Sequence, residues 1–297
     1  MSEITVPEIP YVLNVPTSTQ TFPDGNAWRL EIPSVEGPAV LAAVFAETDK
    51  YGVPIDRISQ GSGIQLLTDA EITDMVQQCA ARDVECCLFV GPRGSFDIGA
   101  AALASNGGAL KGALRGARQL SQALEDIYRA IELGVKSILI ADVGLLAVLN
   151  QKRIAGQIPA DFIIKVSVLS APSNPATAAV LAQLGANSLN VPSDLSISEL
   201  AEIRAATTAW IDFYVEAPDD VGGFIRHHDI ADLVRVAAPI YLKFGLRNTP
   251  ALYPSGKHLE AAAINCGIER VRRAAIGLEH LKRKAPELMQ NDIAAKA

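Results

Sequence analysis

The stretch IIKVSVLSAPSNPATAAVLAQLGANSLN, from Ile163 to Asn190, contains a complete strand–helix–strand unit. A short apolar run from Ile163 to Leu169 leads to Asn174 and Pro175, a residue pair that favours the start of a helix. An apolar segment of helical length follows, and the next apolar run begins at Asn187. This order predicts two parallel strands joined by a helix.

The same unit repeats along the whole chain. Successive apolar runs begin 23 to 30 residues apart, except for one interval of 51 residues. The eight runs are Trp28 to Ile32, Ile55 to Gln60, Glu85 to Val90, Lys136 to Ala141, Ile163 to Leu169, Asn187 to Val191, Trp210 to Val215 and Ile240 to Phe244. Eight such units close a barrel, whereas doubly wound sheets have fewer strands. We therefore predict an α/β protein with a single-domain (β/α)8 TIM barrel.

The regions outside these runs set the predicted boundaries. Residues 1–26 contain four prolines and no periodicity, and we interpret them as an N-terminal arm that covers the bottom of the barrel or a neighbouring subunit. The barrel then spans 27–285, a C-terminal tail spans 286–297, and we expect a homo-oligomer. The one long interval contains the glycine-rich segment Gly94 to Arg118, which is either a lid over the barrel mouth or an extra surface helix.

Composition narrows the range of partners. The net charge of −7 argues against nucleic acid, because phosphate binding needs a basic surface. No apolar run approaches the length of a membrane span, and the first residues do not resemble a secretion signal, so we expect a cytoplasmic protein without a membrane partner. The four cysteines have neither zinc-site nor disulfide-framework spacing.

Polar residues within the predicted strands are the candidate catalytic groups. Alternate residues of a barrel strand face the lumen, and those near its C-terminal end reach the active site. This alternation places Glu31, Glu216 and Lys243 inside the barrel. Lys165 and Asp212 share the lumen but lie lower, where a paired layer of the core is the favoured interpretation. We predict that Glu216 and Lys243 face each other across the last two strands and exchange a proton with substrate.

Residues at the other strand ends are candidate substrate ligands. Hydrogen-bond donors and acceptors follow several strands, and ordinary turn chemistry is the alternative explanation for them. These residues are Gln60, Ser62, Arg93, Asn190 and Arg247. Asp142 is a candidate oxygen ligand for Mg²⁺ or Mn²⁺, with Glu31 and Glu216 as further oxygen donors. The cofactor itself stays unknown from the sequence.

Three stretches in the middle of the chain are similar to the collagenase-like peptidase family, class U number thirty-two. They are ADVGLL from Ala141, SVLS from Ser167 with Asn174 after it, and LAQLGANSLNVPSDLSISEL from Leu181 to Leu200. The resemblance implies a TIM barrel and peptide hydrolysis. The chain departs from the family at Ser193 and Asp194, which occupy the places of an Arg-Glu pair, and it has no cysteine cluster, so we expect no iron–sulfur cluster.

These observations lead to one functional hypothesis and two alternatives. We expect an enzyme that performs acid–base chemistry on a small, polar, carboxylate-bearing molecule, as a lyase (an aldolase, for example) or an isomerase. In a Schiff-base version of this chemistry, Lys243 would be the amine. The alternatives are a peptidase-like hydrolase, which the family resemblance implies, and a barrel that binds a ligand without catalysis.

Overall fold

The computed structural model describes residues 14–91 and 111–290, and in these residues eight parallel strands form a closed barrel. The strands are paired in sequence order, and the last pairs with the first. They are β1 (Trp28–Pro33), β2 (Arg57–Gln60), β3 (Glu85–Phe89), β4 (Ser137–Ile140), β5 (Ile163–Val166), β6 (Ser188–Asn190), β7 (Trp210–Glu216) and β8 (Ile240–Phe244). Every predicted run overlaps one of these strands, which confirms the TIM barrel.

A helix follows each strand before the next one begins. The helices are α1 (Pro38–Tyr51), α2 (Asp69–Ala80), α3 (Gly116–Glu132), α4 (Val143–Ile154), α5 (Pro175–Gln183), α6 (Ile197–Ala206), α7 (Ile230–Ala237) and α8 (Glu260–Lys284). Thr68 and Ser196 begin α2 and α6 with reciprocal capping boxes, and the Asn174 side chain caps α5. Within the described ranges, no helix is both long and apolar enough to cross a membrane.

The main hydrophobic core lies between the barrel and its helices. Outward-facing strand residues such as Ile58, Ile138 and Ile211 are fully buried there. The ring of helices closes where α8 packs on α1. A Cβ atom added to Gly267 would lie 2.9 Å from the Val44 side chain, so glycine allows the two helices to approach this closely.

The bottom of the barrel is covered by the described part of the predicted arm. Phe22 is buried there, with its ring centre 5.4 Å from that of Trp210 and 5.1 Å from that of Tyr241. The Ser18 hydroxyl donates to the carbonyl of Ala238 at 2.5 Å. The Trp28 indole also donates to the Leu288 carbonyl, which fixes the short turn of helix after α8 against the same end. The remaining arm and tail residues, 1–13 and 291–297, lie outside the described residues.

The pairing of β7 with β8 contains an irregularity near the barrel mouth. Tyr214 is opposite Lys243, but Glu216 is opposite Phe244, so β7 advances by two residues while β8 advances by one. A bulge of this kind changes which face of the sheet the following side chain occupies. Glu216 therefore shares the face of Phe244, which packs against Gly277 of α8.

Candidate active site

The barrel lumen contains a fully buried carboxylate with four neighbouring donors. Glu31 of β1 forms ion pairs with Lys165, with Lys243 at 3.4 Å and with Arg57 at 3.4 Å. The Ser59 hydroxyl donates to the same carboxylate at 2.6 Å. Both carboxylate oxygens are thus occupied, as a charge removed from water requires.

A second carboxylate, Asp212 of β7, completes the cluster. Its Oδ1 lies 2.7 Å from Nη1 of Arg57 and 3.1 Å from Nζ of Lys165, and its Oδ2 accepts a hydrogen bond from Ser188. Arg57 also pairs with Glu85 at 2.7 Å through its Nε. The lower lumen is therefore a layer of paired charges, as the sequence predicted for Lys165 and Asp212.

The cluster keeps the Glu31 carboxyl ionised. Burial opposes the charged form, but the neighbouring cations outweigh burial and hold the pKa of Glu31 well below its ordinary value, with Lys165 contributing most. A carboxylate in this state is a weak base. Glu31 is therefore suited to holding its cationic neighbours in place.

Lys243 lies at the mouth end of this cluster. Its Nζ is 4.1 Å from the centre of the Tyr214 ring, and burial raises the pKa of the Tyr214 phenol so that it stays neutral. When the Asn190 amide is oriented to satisfy both of its ends, its oxygen accepts from Lys243 Nζ at 3.0 Å and its nitrogen donates to the Asp212 carbonyl. Lys243 is only 1% exposed, so its remaining hydrogen-bonding capacity is directed within the barrel.

A small cavity opens directly above Lys243. This mouth cavity has a volume of about 70 Å³, and its polar lining comprises Ser34, Ser59, Gln60, Ser167, Asn190, Tyr214, Asp220, Lys243 and Tyr253. Of the three cations that pair with Glu31 in the described chain, only Lys243 lines it. The arrangement offers a substrate one cation among hydroxyl and amide groups, with the Asp220 carboxylate bordering the same cavity.

Glu216 does not face Lys243, and this part of the prediction is wrong. The β7 bulge turns the Glu216 carboxylate away from the lumen, where it lies 3.4 Å from Nε2 of His227 and 3.9 Å from Nε of Arg273 on α8. It also accepts from the backbone N–H of Arg247 at 3.2 Å. Burial opposes its ionisation, but these partners lower the pKa of Glu216 below its ordinary value. Glu216 thus joins two loops to the outer helix.

The five predicted substrate ligands lie in different parts of the structure, and only some of them border the mouth cavity. Asn190 and Gln60 line the mouth cavity, although the Gln60 amide also bonds to the backbone of Gly63 in both directions. Ser62 instead donates its hydroxyl to buried Glu36 at 2.5 Å. Arg247 pairs with an exposed aspartate in the loop after β7, and its side chain lines neither the mouth cavity nor the lumen cluster. Arg93 lies outside the described residues, as does most of the predicted lid.

Asp142 is a helix cap, which differs from the predicted metal ligand. Its Oδ1 accepts from the backbone N–H of Leu145 at 2.9 Å, and its Oδ2 accepts from that of Leu114 at 2.9 Å. Both oxygens therefore have donors, and neither Glu31 nor Glu216 is among its contacts. In residues 14–91 and 111–290, no group of three or more His, Cys, Asp or Glu side chains is placed to hold a metal ion.

Sequence reasoning missed two contributors to the site. Arg57 lies inside a predicted strand and is opposite Glu31 in the pairing of β1 with β2. Alternation along that strand puts Arg57 on the same face as Ser59, and this was the signal that would have placed Arg57 in the lumen. Tyr253 comes from the loop after β8, where no periodicity applies. Its phenol bonds to the Ser34 hydroxyl at the mouth cavity, and burial raises the pKa of Tyr253.

The chain is a TIM barrel with a charged lumen. A sequence comparison adds the family that it resembles. The model of peptidase family U32 matches residues 112–217, a segment that contains β4 to β7 and all three stretches noted above. The chain therefore resembles this family over that segment, as predicted. A search of curated proteins finds no match.

Solved structures share the fold at low sequence identity. A candidate fructose-1,6-biphosphate aldolase from Coccidioides immitis matches with a TM-score of 0.53 and 11% identity, over 86% of this chain and 93% of that one. The YdjI aldolase from Escherichia coli K12 matches with a TM-score of 0.50 and 16% identity, over 90% and 93%. The U32 peptidase Mk0906 gives a TM-score of 0.43 and 19% identity, over 70% and 73%. The two aldolase likenesses agree with the TIM barrel and assign no reaction.

Proposed function

We propose that this protein is an enzyme that performs acid–base chemistry on a small carboxylate- or carbonyl-bearing substrate, as a lyase (an aldolase, for example) or an isomerase, with Lys243 as the reacting group. One observation carries the proposal. Lys243 is the lumen cation that borders the mouth cavity, whereas Arg57 and Lys165 lie behind it in the paired layer. The C-terminal end of the strands is also where TIM-barrel enzymes hold their catalytic residues.

The Lys243 side chain has an anionic and an aromatic neighbour. Its Nζ lies 3.4 Å from the Glu31 carboxylate and 4.1 Å from the centre of the Tyr214 ring. An ammonium has three N–H donors, and Glu31 and Asn190 account for two of them. The third donor can bind a substrate oxygen and transfer a proton to it while solvent water takes up the proton that leaves the adjacent carbon. Glu31 and Asn190 then act as positioning residues for this ammonium.

A deuterium-exchange assay against a panel of compounds tests the proposal. The purified protein is incubated in D₂O with small 2-oxo acids and 3-hydroxy acids, and loss of the C–H signal next to the carbonyl or carboxylate is followed by proton NMR. We expect exchange with at least one compound. Lys243→Gln should lower its rate by about 100-fold, because the proton donor is removed.

The matched control is Lys50→Gln, which removes a lysine whose ammonium is exposed and pairs with Glu47 on α1. This variant should exchange at the wild-type rate. Equal exchange rates in Lys243→Gln and wild type would refute the role of Lys243. Trapping of a substrate on Lys243 by cyanoborohydride, located by peptide mass mapping, would instead assign the Schiff-base version of the chemistry.

Peptide hydrolysis is the second candidate function, and the match of peptidase family U32 to residues 112–217 is the observation in its favour. Cleavage of casein or gelatin at equal rates by wild type and Lys243→Gln would support it and contradict our preferred site. Binding of a small carboxylate with neither exchange nor cleavage would identify a barrel that binds without catalysis.

A further inference from the structure

A second, larger depression adjoins the mouth cavity. This outer recess has a volume of about 640 Å³ and lies among the loops that follow β4, β5, β6 and β7. Val168, Leu169, Asp220 and Val221 line both the recess and the mouth cavity. The two spaces are therefore adjacent and share these wall residues.

The outer recess is acidic. Its lining includes Asp142, Asp194 and Asp220, while its described walls contain neither lysine nor arginine. Asp142 is occupied by backbone donors, but its charge still adds to the local negative potential. Asp194 and Asp220 are exposed at the recess and lie on the loops after β6 and β7, so their oxygens are accessible to a ligand. This lining favours a positively charged group.

An independent feature of the same wall also points to a ligand. Ser193 lines the outer recess and is only 2% exposed, yet its hydroxyl has no hydrogen-bond partner in the described structure. Buried hydroxyls in folded proteins nearly always have a partner. An N–H donor of a ligand in the recess would satisfy the Ser193 oxygen.

We infer that the substrate is zwitterionic: its carboxylate or carbonyl end binds at Lys243 and a protonated amino group occupies the outer recess. The inference rests on the proposed role of Lys243 and adds the chemistry of the far end. Asp220 lines both spaces, so it would meet the part of the molecule between its two ends. Asp194 and the Ser193 hydroxyl would receive the amino group.

Three ligands of equal chain length test this inference. They are pentanoate, glutarate and 5-aminopentanoate, which end in a methyl group, a second carboxylate and an ammonium, and their binding is measured by isothermal titration calorimetry. We expect 5-aminopentanoate to bind about tenfold more tightly than pentanoate, since its ammonium gains the Asp194 carboxylate and the negative potential of the acidic recess. Glutarate should bind more weakly than pentanoate, because the acidic recess repels its second carboxylate.

Variants assign the preference to the recess. The double variant Asp194→Asn and Asp220→Asn should lose most of the tenfold preference for 5-aminopentanoate over pentanoate. Asp161→Asn, which changes an exposed aspartate before β5, is the matched control and should keep the preference. A thermal melt of each variant checks that the fold is retained.

The outcomes separate the inference from the proposed function. Equal affinities for the three ligands, all weakened by Lys243→Gln, would overturn the zwitterionic substrate while keeping the role of Lys243. An unchanged preference in the double variant would overturn it too, as would the absence of measurable binding by all three ligands. The deuterium-exchange assay tests the role of Lys243 as a proton donor by a separate measurement.

Discussion

Replacing Lys165 with methionine should destabilise the fold severely, although the side-chain volume hardly changes. Lys165 is fully buried and its ammonium contacts both lumen carboxylates, Glu31 and Asp212. Methionine removes the charge and keeps a flexible apolar chain of similar length. The described lumen cluster then holds two cations, Arg57 and Lys243, beside three carboxylates, the third being Glu85.

The expected size of the effect follows from this imbalance. Removing one partner of a buried ion pair costs about 3 to 5 kcal/mol, since the other charge stays desolvated. The whole free energy of unfolding of a typical domain is only about 5 to 15 kcal/mol. Lys165→Met should therefore remove about a fifth or more of the stability. The deficit should shrink in acid, because protonation of one carboxylate restores the balance of charge.

Urea unfolding followed by circular dichroism measures this change, at neutral pH and again at acidic pH. Lys50→Met is the matched control, as its ammonium is exposed on α1, and its unfolding midpoint should stay at the wild-type value. A Lys165→Met variant within about 1 kcal/mol of wild type at neutral pH would refute the reasoning about the paired layer.

Three further predictions concern single residues. Glu216→Gln should leave the deuterium-exchange rate within about threefold of wild type, because Glu216 contacts His227 outside the lumen, and a loss of 100-fold would restore it as a catalytic residue. The low pKa of Glu31 stabilises the fold above the ordinary glutamate value of 4.5, and this stability should be lost as the pH falls below that value. Glu31→Gln should flatten that acid dependence in urea titrations, whereas a slope equal to wild type would contradict it. Asn174→Ala should lower the free energy of unfolding by about 1 kcal/mol, because its side chain caps α5 through the N–H of Thr177, and an unchanged urea midpoint would argue against this cap.

The fold was predictable because its signals are local and repeated. Each apolar run needs only its own residues to form a buried strand, and capping residues such as Thr68 and Ser196 mark helix starts within four positions. The strand prediction was too long at β5, because Ser167 accepts from the N–H of Leu169 and begins a short 3-10 turn. Side chain to backbone bonds of this kind compete with extended structure.

The site was predictable only where simple alternation along the strands holds. Alternation placed Glu31 and Lys243 in the lumen correctly, but it failed at Glu216, since the bulge depends on how two distant strands pair. The role of Ser62 depends on Glu36, which lies in the loop after β1. The Glu36 carboxylate accepts hydrogen bonds from the backbone N–H and the hydroxyl of Ser62 in the turn after β2. Contacts between loops of different units leave no periodic pattern in a sequence. The prediction for such residues could therefore rest only on their chemical type.

A crystal structure of the protein soaked with a small carboxylate that shows exchange or binding tests the central claim most directly. The claim is that Lys243 receives the substrate at the C-terminal end of the barrel. We predict a carboxylate or carbonyl oxygen within hydrogen-bond distance of Lys243 Nζ, inside the mouth cavity. A ligand bound only at the opposite end of the barrel, in the depression beside Arg29 and Lys136, would contradict it.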